Sequence, residues 1–188
     1  VVKFVRDPFA RCYSGYLVVN QPFLLTKQDH WALPTRQRIL KYLVGRSTNI
    51  EYAFSFAQYL EWLGVVEMGS VDPHLRPQFT PLERHLSVRV AKIEQIYENL
   101  NFLEDEFNLP RRAADVPEIF DSGHHHSTRA DLSREEGLRL LRLGVPLQRS
   151  PKFPYVKFNA EMAVGSEYEE IIRSVFSDDF AAYGYDEP

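Results

Sequence analysis

The chain has 188 residues and a formal net charge of −4, a length that suits one domain, residues 1–188, with a substantial buried core. Its 44% hydrophobic and 13% aromatic content excludes general disorder, and its mixed charges argue against a nucleic-acid partner while leaving room for a local anion pocket. The single cysteine, Cys12, excludes an internal disulfide framework, and no apolar run approaches the roughly 20 residues of a membrane-spanning helix.

The first predicted unit is strand, tight turn and helix. Residues 1–5 are β-prone apart from Lys3, which is typical of a buried parallel strand. Asp7 occupies the position of a helix N-cap, and Pro8 occupies the first helical position. An apolar face then follows at helical spacing, formed by Phe9, Cys12, Tyr13, Tyr16 and Leu17. Because a core strand is an unusual start for a chain, we expect the C-terminal part of a longer protein.

The rest of the chain alternates helices with a few strands. We expect helices at 36–44 and 51–63, an ordered loop at 68–81, a strand at 88–93, a helix at 101–108 and a polar loop at 111–129. Gly64 is the predicted stop of the second of these helices. Two capping boxes, Ser133 with Glu136 and Ser166 with Glu169, predict the starts of two late helices. This alternation predicts an α/β fold with a mainly parallel sheet.

Arg6 and Ser14 are the first candidates for a binding site. Arg6 directly follows the first predicted strand, at the end where open α/β sheets bind ligands. Ser14 lies on the following helix, away from the apolar face. An arginine fork and a hydroxyl together suit one phosphate group. The alternative is that Arg6 pairs with Asp7 or a surface carboxylate, and that Ser14 is a small packing residue.

Four stretches of the sequence resemble one protein family. Residues 5–16, VRDPFARCYSGY, resemble the 3′-phosphate-binding motif V-R-D-P-F-x-R-x-x-S-x-Y of carbohydrate (family 2) sulfotransferases. Residues 72–78, DPHLRPQ, resemble the family's D-x-H-W-x-P-Q loop, with Leu75 in place of tryptophan. The ending, 168–185, is similar to the terminal Y-x-x-D-F-E-x-F-G-Y, and residues 92–100 are more loosely similar to K-x-E-N-L.

The resemblance implies a reaction, a fold and a set of ligands. The reaction is transfer of a sulfuryl group from 3′-phosphoadenosine 5′-phosphosulfate to a hydroxyl of a carbohydrate acceptor. The fold is a P-loop-kinase-like three-layer α/β fold, with a parallel central sheet flanked by helices and here expected to lack its N-terminal part. Arg6 and Ser14 would bind the 3′-phosphate. The family's 5′-phosphosulfate loop and catalytic base precede this motif, so we expect the catalytic base upstream of residue 1.

Several other side chains are weaker candidates. His74 would contact a sugar or take part in proton transfer, and the alternative is a structural histidine that bonds backbone groups. Arg76 would meet an acidic sugar or form a surface salt bridge. Ser127 and Thr128 fall where related enzymes bring a late segment over the nucleotide. The histidines at 124–126 lack nearby ligands at zinc spacing, so we expect no metal.

Two other functions remain open on the sequence alone. One is a catalytically inactive relative that binds a nucleotide or a protein partner. The other is a nucleotide kinase of similar fold, although that function gives no reason for Arg6 and Ser14 at this spacing. The short loops and the missing anchor favour a bacterial, cytoplasmic protein, whereas a eukaryotic relative would be expected in the Golgi lumen.

Overall fold

The computed structural model describes residues 1–20, 30–45, 52–111, 129–130, 133–143, 155–156 and 163–185. In chain order they form β1 (Val2–Val5), α1 (Pro8–Val19), α2 (Ala32–Val44), α3 (Phe56–Val65), β2 (Arg89–Lys92), α4 (Ile96–Glu106), β3 (Arg129–Ala130), α5 (Arg134–Leu143), β4 (Tyr155–Val156), α6 (Glu169–Val175) and α7 (Ser177–Tyr183). Short 3-10 helices lie at Met68–Ser70, Pro81–His85 and Ile93–Gln95.

The predicted parallel strand pairing is confirmed. Strand β1 pairs in parallel with β2, with Val2 opposite Arg89 and Val5 opposite Lys92, and β3 pairs in parallel with β4. The described residues thus form a mainly helical α/β structure with small two-stranded parallel sheets. The connection from β1 to β2 contains α1, α2 and α3, as parallel strands require a long crossover.

The start of α1 is also confirmed. Asp7 is its N-cap and accepts a hydrogen bond from the Ala10 N–H at 2.8 Å, while Pro8 is the first helical residue. Four of the five predicted apolar positions are buried, and the fifth, Leu17, packs against the same core. Local capping and helical spacing therefore determine this element.

Three middle helices have limits that differ from the predicted ones. Helix α2 begins four residues earlier, at Ala32, and α4 begins at Ile96 rather than at 101. Helix α3 begins later, because Ser55 and Gln58 form a capping box that the sequence reading overlooked. The same helix continues through Gly64 to Val65, so the predicted glycine stop is wrong and the helix ends two residues later than predicted.

The two late capping boxes form only in part. At the start of α5, Ser133 Oγ accepts a hydrogen bond from the Glu136 N–H at 3.3 Å, but the Glu136 carboxylate pairs with Arg139. Before α6, the Glu169 carboxylate accepts from the Gly165 N–H at 2.6 Å. Gly165 has a positive φ of 71°, and this turn replaces the predicted box at Ser166.

An aromatic core joins α1 to α3, α6 and α7. Tyr16 lies edge-on to Phe56 with ring centroids 5.1 Å apart, and Phe56 meets Tyr168 in the same way. Phe9 packs edge-on against Phe180 at 5.2 Å. These contacts attach the C-terminal helices to α1 and so hold the ending of the chain beside Arg6. Among the described helices, none combines the length and apolarity needed to cross a membrane.

Gly15 lets the loop 72–78 lie directly against α1. A Cβ atom at this position would come within 2.4 Å of Leu75 Cδ2 and 2.9 Å of the Tyr59 hydroxyl. Leu75 is only 1% exposed. The absent side chain of Gly15 therefore sets how closely this loop approaches the helix that follows Arg6.

Candidate functional site

Arg6 lies in the turn between β1 and α1, and its main chain is held by one side chain. The Arg6 N–H donates to Gln78 Oε1 at 3.0 Å, and Gln78 Nε2 donates to the Arg6 carbonyl at 2.8 Å. The amide thus bonds Arg6 as a neighbouring strand would, just past the end of the β1–β2 ladder. The position of Arg6 is fixed from the loop 72–78.

Asp179 fixes that loop in turn. Its side chain is fully buried in α7 and accepts hydrogen bonds from the Gln78 N–H at 2.8 Å and the Phe79 N–H at 2.6 Å. A buried carboxylate is stable only when such donors replace its lost hydration. This residue therefore ties the end of the chain to the loop that holds Arg6.

Arg11, the second arginine of the 5–16 stretch, anchors the other part of the loop. Its Nη2 donates to the Pro73 carbonyl at 2.5 Å, and its Nε donates to the Arg76 carbonyl at 3.2 Å. Burial lowers the pKa of the Arg11 guanidinium, and the nearby Asp179 carboxylate partly offsets this. Arg11 thus holds the loop 72–78 against α1.

Glu94 joins the 92–100 stretch to Asp7, the residue that follows Arg6. Its Oε1 accepts from the Asp7 N–H at 2.8 Å, and its Oε2 accepts from the Tyr185 hydroxyl at 3.0 Å. Lys92 donates to the Gly184 carbonyl at 2.9 Å. All four stretches that carry the family resemblance therefore meet around Arg6.

The start of α1 is already occupied by its own cap. Burial raises the pKa of the Asp7 carboxyl, the Ala10 N–H lowers it in part, and Glu94 raises it further. Arg6 is near enough to exert a small opposite effect on the Asp7 pKa. Because the Asp7 carboxylate covers the helix end, an anion at this site would be bound by side chains beside the helix.

Ser14 is half-buried in α1. It lies three residues after Arg11 and seven after Asp7, so helical geometry places these residues on one side of the helix. The rise of about 1.5 Å per residue separates Ser14 from Asp7 by about 10 Å along the axis. Ser14 therefore shares a side of α1 with Arg11, about two helical turns beyond the end of the helix that Arg6 precedes.

His74 is both structurally bound and accessible. Its Nδ1 lies 2.6 Å from Asp72 Oδ1, its N–H donates to the same oxygen at 2.9 Å, and its ring stacks on Trp31 with centroids 4.4 Å apart. The side chain is nevertheless 64% exposed. The loop thus holds an oriented imidazole at the surface, next to the half-buried Arg76.

Ser127, Thr128 and the histidines at 124–126 lie outside the described residues. Sequence reasoning assigned no role to Gln78, Glu94 or Asp179, although all three lie within family-like stretches. The sequence does contain one sign that Asp179 is buried: it is an acidic residue at a position where the helical pattern expects an apolar one, directly before Phe180.

Searches for related proteins returned no match among protein-family models, curated proteins or solved structures.

Glu83, in the short 3-10 helix that follows the loop 72–78, predicts a pH effect on stability. Partial burial of Glu83 opposes ionisation, but hydrogen bonds from Lys3, Thr80 and Tyr183 outweigh it and hold the Glu83 pKa below its ordinary value of 4.5. Its stabilising contribution is therefore complete above about pH 4.5 and is lost as the pH falls through the lowered pKa.

We expect Glu83→Gln to flatten the acid limb of a plot of unfolding free energy against pH. Urea denaturation between pH 3 and pH 7 measures this, and Glu67→Gln, at an exposed glutamate, is the control. An acid limb as steep in Glu83→Gln as in the wild type would contradict the assignment.

Proposed function

We propose that this chain is a sulfotransferase, or part of one, that transfers a sulfuryl group from 3′-phosphoadenosine 5′-phosphosulfate to a carbohydrate hydroxyl. The observation that carries the proposal is the convergence on Arg6 of four separately recognised stretches, through Gln78, Asp179 and Glu94. The proposed fold is a P-loop-kinase-like three-layer fold, of which β1 and β2 form part of the parallel sheet.

The residues beside α1 suit the 3′-phosphate of the donor. Arg6 offers a planar fork with a fixed positive charge, and Ser14 offers a neutral hydroxyl. The bound donor supplies the sulfuryl group and the nucleotide leaving group. Among the described residues we assign none to the 5′-phosphosulfate and none as the catalytic base, so this part of the site concerns donor recognition.

His74 and Arg76 are the proposed acceptor-binding residues. They share the loop 72–78 with Gln78, so one segment carries both the acceptor side and the support of Arg6. The Asp72 carboxylate orients the His74 ring, and its stacking on Trp31 limits rotation. An oriented, exposed imidazole can donate a hydrogen bond to, or accept one from, a sugar hydroxyl.

The proposal predicts binding that depends on the 3′-phosphate. We expect adenosine 3′,5′-bisphosphate to bind at least about 10-fold more tightly than 5′-AMP, because charge-assisted hydrogen bonds contribute about 1.5–3 kcal/mol each. Isothermal titration calorimetry of both ligands with the 188-residue chain measures the difference.

Equal affinity for the two nucleotides would contradict the proposal. Tighter binding of ATP than of the bisphosphate would favour a nucleotide kinase. A preference for the 3′-phosphate without sulfuryl transfer to any glycan, in a chain extended upstream, would favour the binding-only alternative.

A further inference from the structure

We propose that Gln78 is a positioning residue, which sets the 3′-phosphate ligand Arg6 in its binding orientation. This inference rests on the proposed function, because it concerns the same phosphate site. Gln78 is not assigned a ligand contact of its own. Its contribution to affinity is expected to pass entirely through Arg6.

Every polar group of Gln78, in the main chain and in the side chain, forms a hydrogen bond. Its side-chain amide bonds the N–H and the carbonyl of Arg6, its N–H donates to the buried Asp179, and its carbonyl accepts from Lys3 Nζ at 2.5 Å. Such complete use of donors and acceptors at a position that is not fully buried indicates a fixed side chain.

The two hydrogen bonds between the Gln78 side chain and the Arg6 main chain, here called the clamp, require a primary amide. The Arg6 main chain offers one donor, its N–H, and one acceptor, its carbonyl. Among side chains of this length, only an amide offers both the matching acceptor and the matching donor. A glutamate would accept from the Arg6 N–H but would face the Arg6 carbonyl with negative charge. It would also face Asp179, because Gln78 Nε2 lies 3.5 Å from Asp179 Oδ2.

The clamp matters because Arg6 lies at the junction of two elements. Its main chain leaves β1 and enters the capped turn of α1, so a small change in its φ and ψ redirects the side chain. A phosphate ligand gains from an arginine only when the fork is held in the productive direction. Loss of Gln78 should therefore weaken phosphate binding while Arg6 is still present.

A double-mutant cycle tests this coupling. The variants are Gln78→Ala, Arg6→Ala and the double variant, with Gln37→Ala on the exposed face of α2 as the matched control. We expect Gln78→Ala to weaken binding of adenosine 3′,5′-bisphosphate about 10-fold and to leave 5′-AMP unchanged. In the Arg6→Ala background, Gln78→Ala should cause no further loss. Gln78→Glu should bind no better than Gln78→Ala.

The outcomes separate the inference from the function. Suppose that the wild type prefers the 3′-phosphate. The positioning role is then wrong if Gln78→Ala binds the bisphosphate as tightly as the wild type does, or if the losses of affinity in Gln78→Ala and Arg6→Ala add fully in the double variant. If the wild type shows no such preference, the proposed function fails and the inference fails with it. Thermal melts of each variant set a titration temperature at which all are folded. A loss shared equally by both nucleotides would indicate a general structural effect and overturn the positioning role.

Discussion

Replacing Asp179 by alanine is expected to lower the free energy of unfolding by about 2–6 kcal/mol, because two partly buried donors lose their acceptor at a cost of about 1–3 kcal/mol each. These donors are the Gln78 and Phe79 N–H groups, at 2.8 and 2.6 Å from the carboxylate. The nearby Arg11 guanidinium would also lose a favourable charge. Urea denaturation at neutral pH measures the change.

Asp178→Ala is the matched control for this prediction. Asp178 is the adjacent acidic residue, but it is exposed in the first turn of α7, so we expect a loss below about 1 kcal/mol. Asp179→Asn should fall between the two, since an amide retains one acceptor oxygen. Equal stability of Asp179→Ala and Asp178→Ala would show that the network does not hold the loop to α7.

The elements that the sequence predicted well carry their own local signals. Helix α1 has a capping aspartate, a proline at its first position and an apolar face at helical spacing, and it begins where predicted. Strand β1 is a short β-prone run and lies where expected, but it is not the buried strand that the sequence predicts, since Val5 alone of its four residues is buried and Phe4 is 41% exposed. The interactions that determine α1 lie within a few residues, which is the range that such patterns cover, whereas β1 also depends on pairing with the distant strand β2.

Where local signals compete, the sequence reading fails. Ser166 and Glu169 match a capping box, but a glycine with positive φ immediately before them offers the Glu169 carboxylate a different N–H. Where the sequence predicts one helix beginning at Ser166, the structure has two, α6 and α7, which meet at Phe176. Phe176, at this junction, is fully buried in the core.

The site itself depends on contacts that no local pattern contains. Gln78 lies 72 positions from Arg6, and Asp179 lies 101 positions from Gln78. Sequence resemblance selected the stretches that contain these residues without indicating what they contact. Their meeting at the end of β1 is visible only in the structure, and Arg6 stays the proposed centre of the site.

Arg6→Ala is expected to weaken binding of adenosine 3′,5′-bisphosphate by about 10- to 100-fold, since it removes one or more charge-assisted hydrogen bonds of about 1.5–3 kcal/mol each. Arg6→Lys should recover only part of this loss, because an ammonium group restores the charge but not the planar fork. Ser14→Ala should cost less, about 3- to 10-fold, because it removes a neutral donor. Calorimetric titration of each variant with the bisphosphate and with 5′-AMP measures these changes.

The control for this series is Arg139→Ala, which removes an exposed arginine of α5 whose guanidinium pairs with Glu136. It changes the net charge as Arg6→Ala does, so it separates a local contact from a general electrostatic effect. Arg139→Ala should leave both affinities unchanged. If it weakened bisphosphate binding as much as Arg6→Ala does, the affinity would depend on the net charge of the protein, and the assignment of Arg6 as a ligand of the 3′-phosphate would be wrong. Full recovery by Arg6→Lys would likewise show that charge alone suffices, and would remove the reason for a fork held in one direction by Gln78.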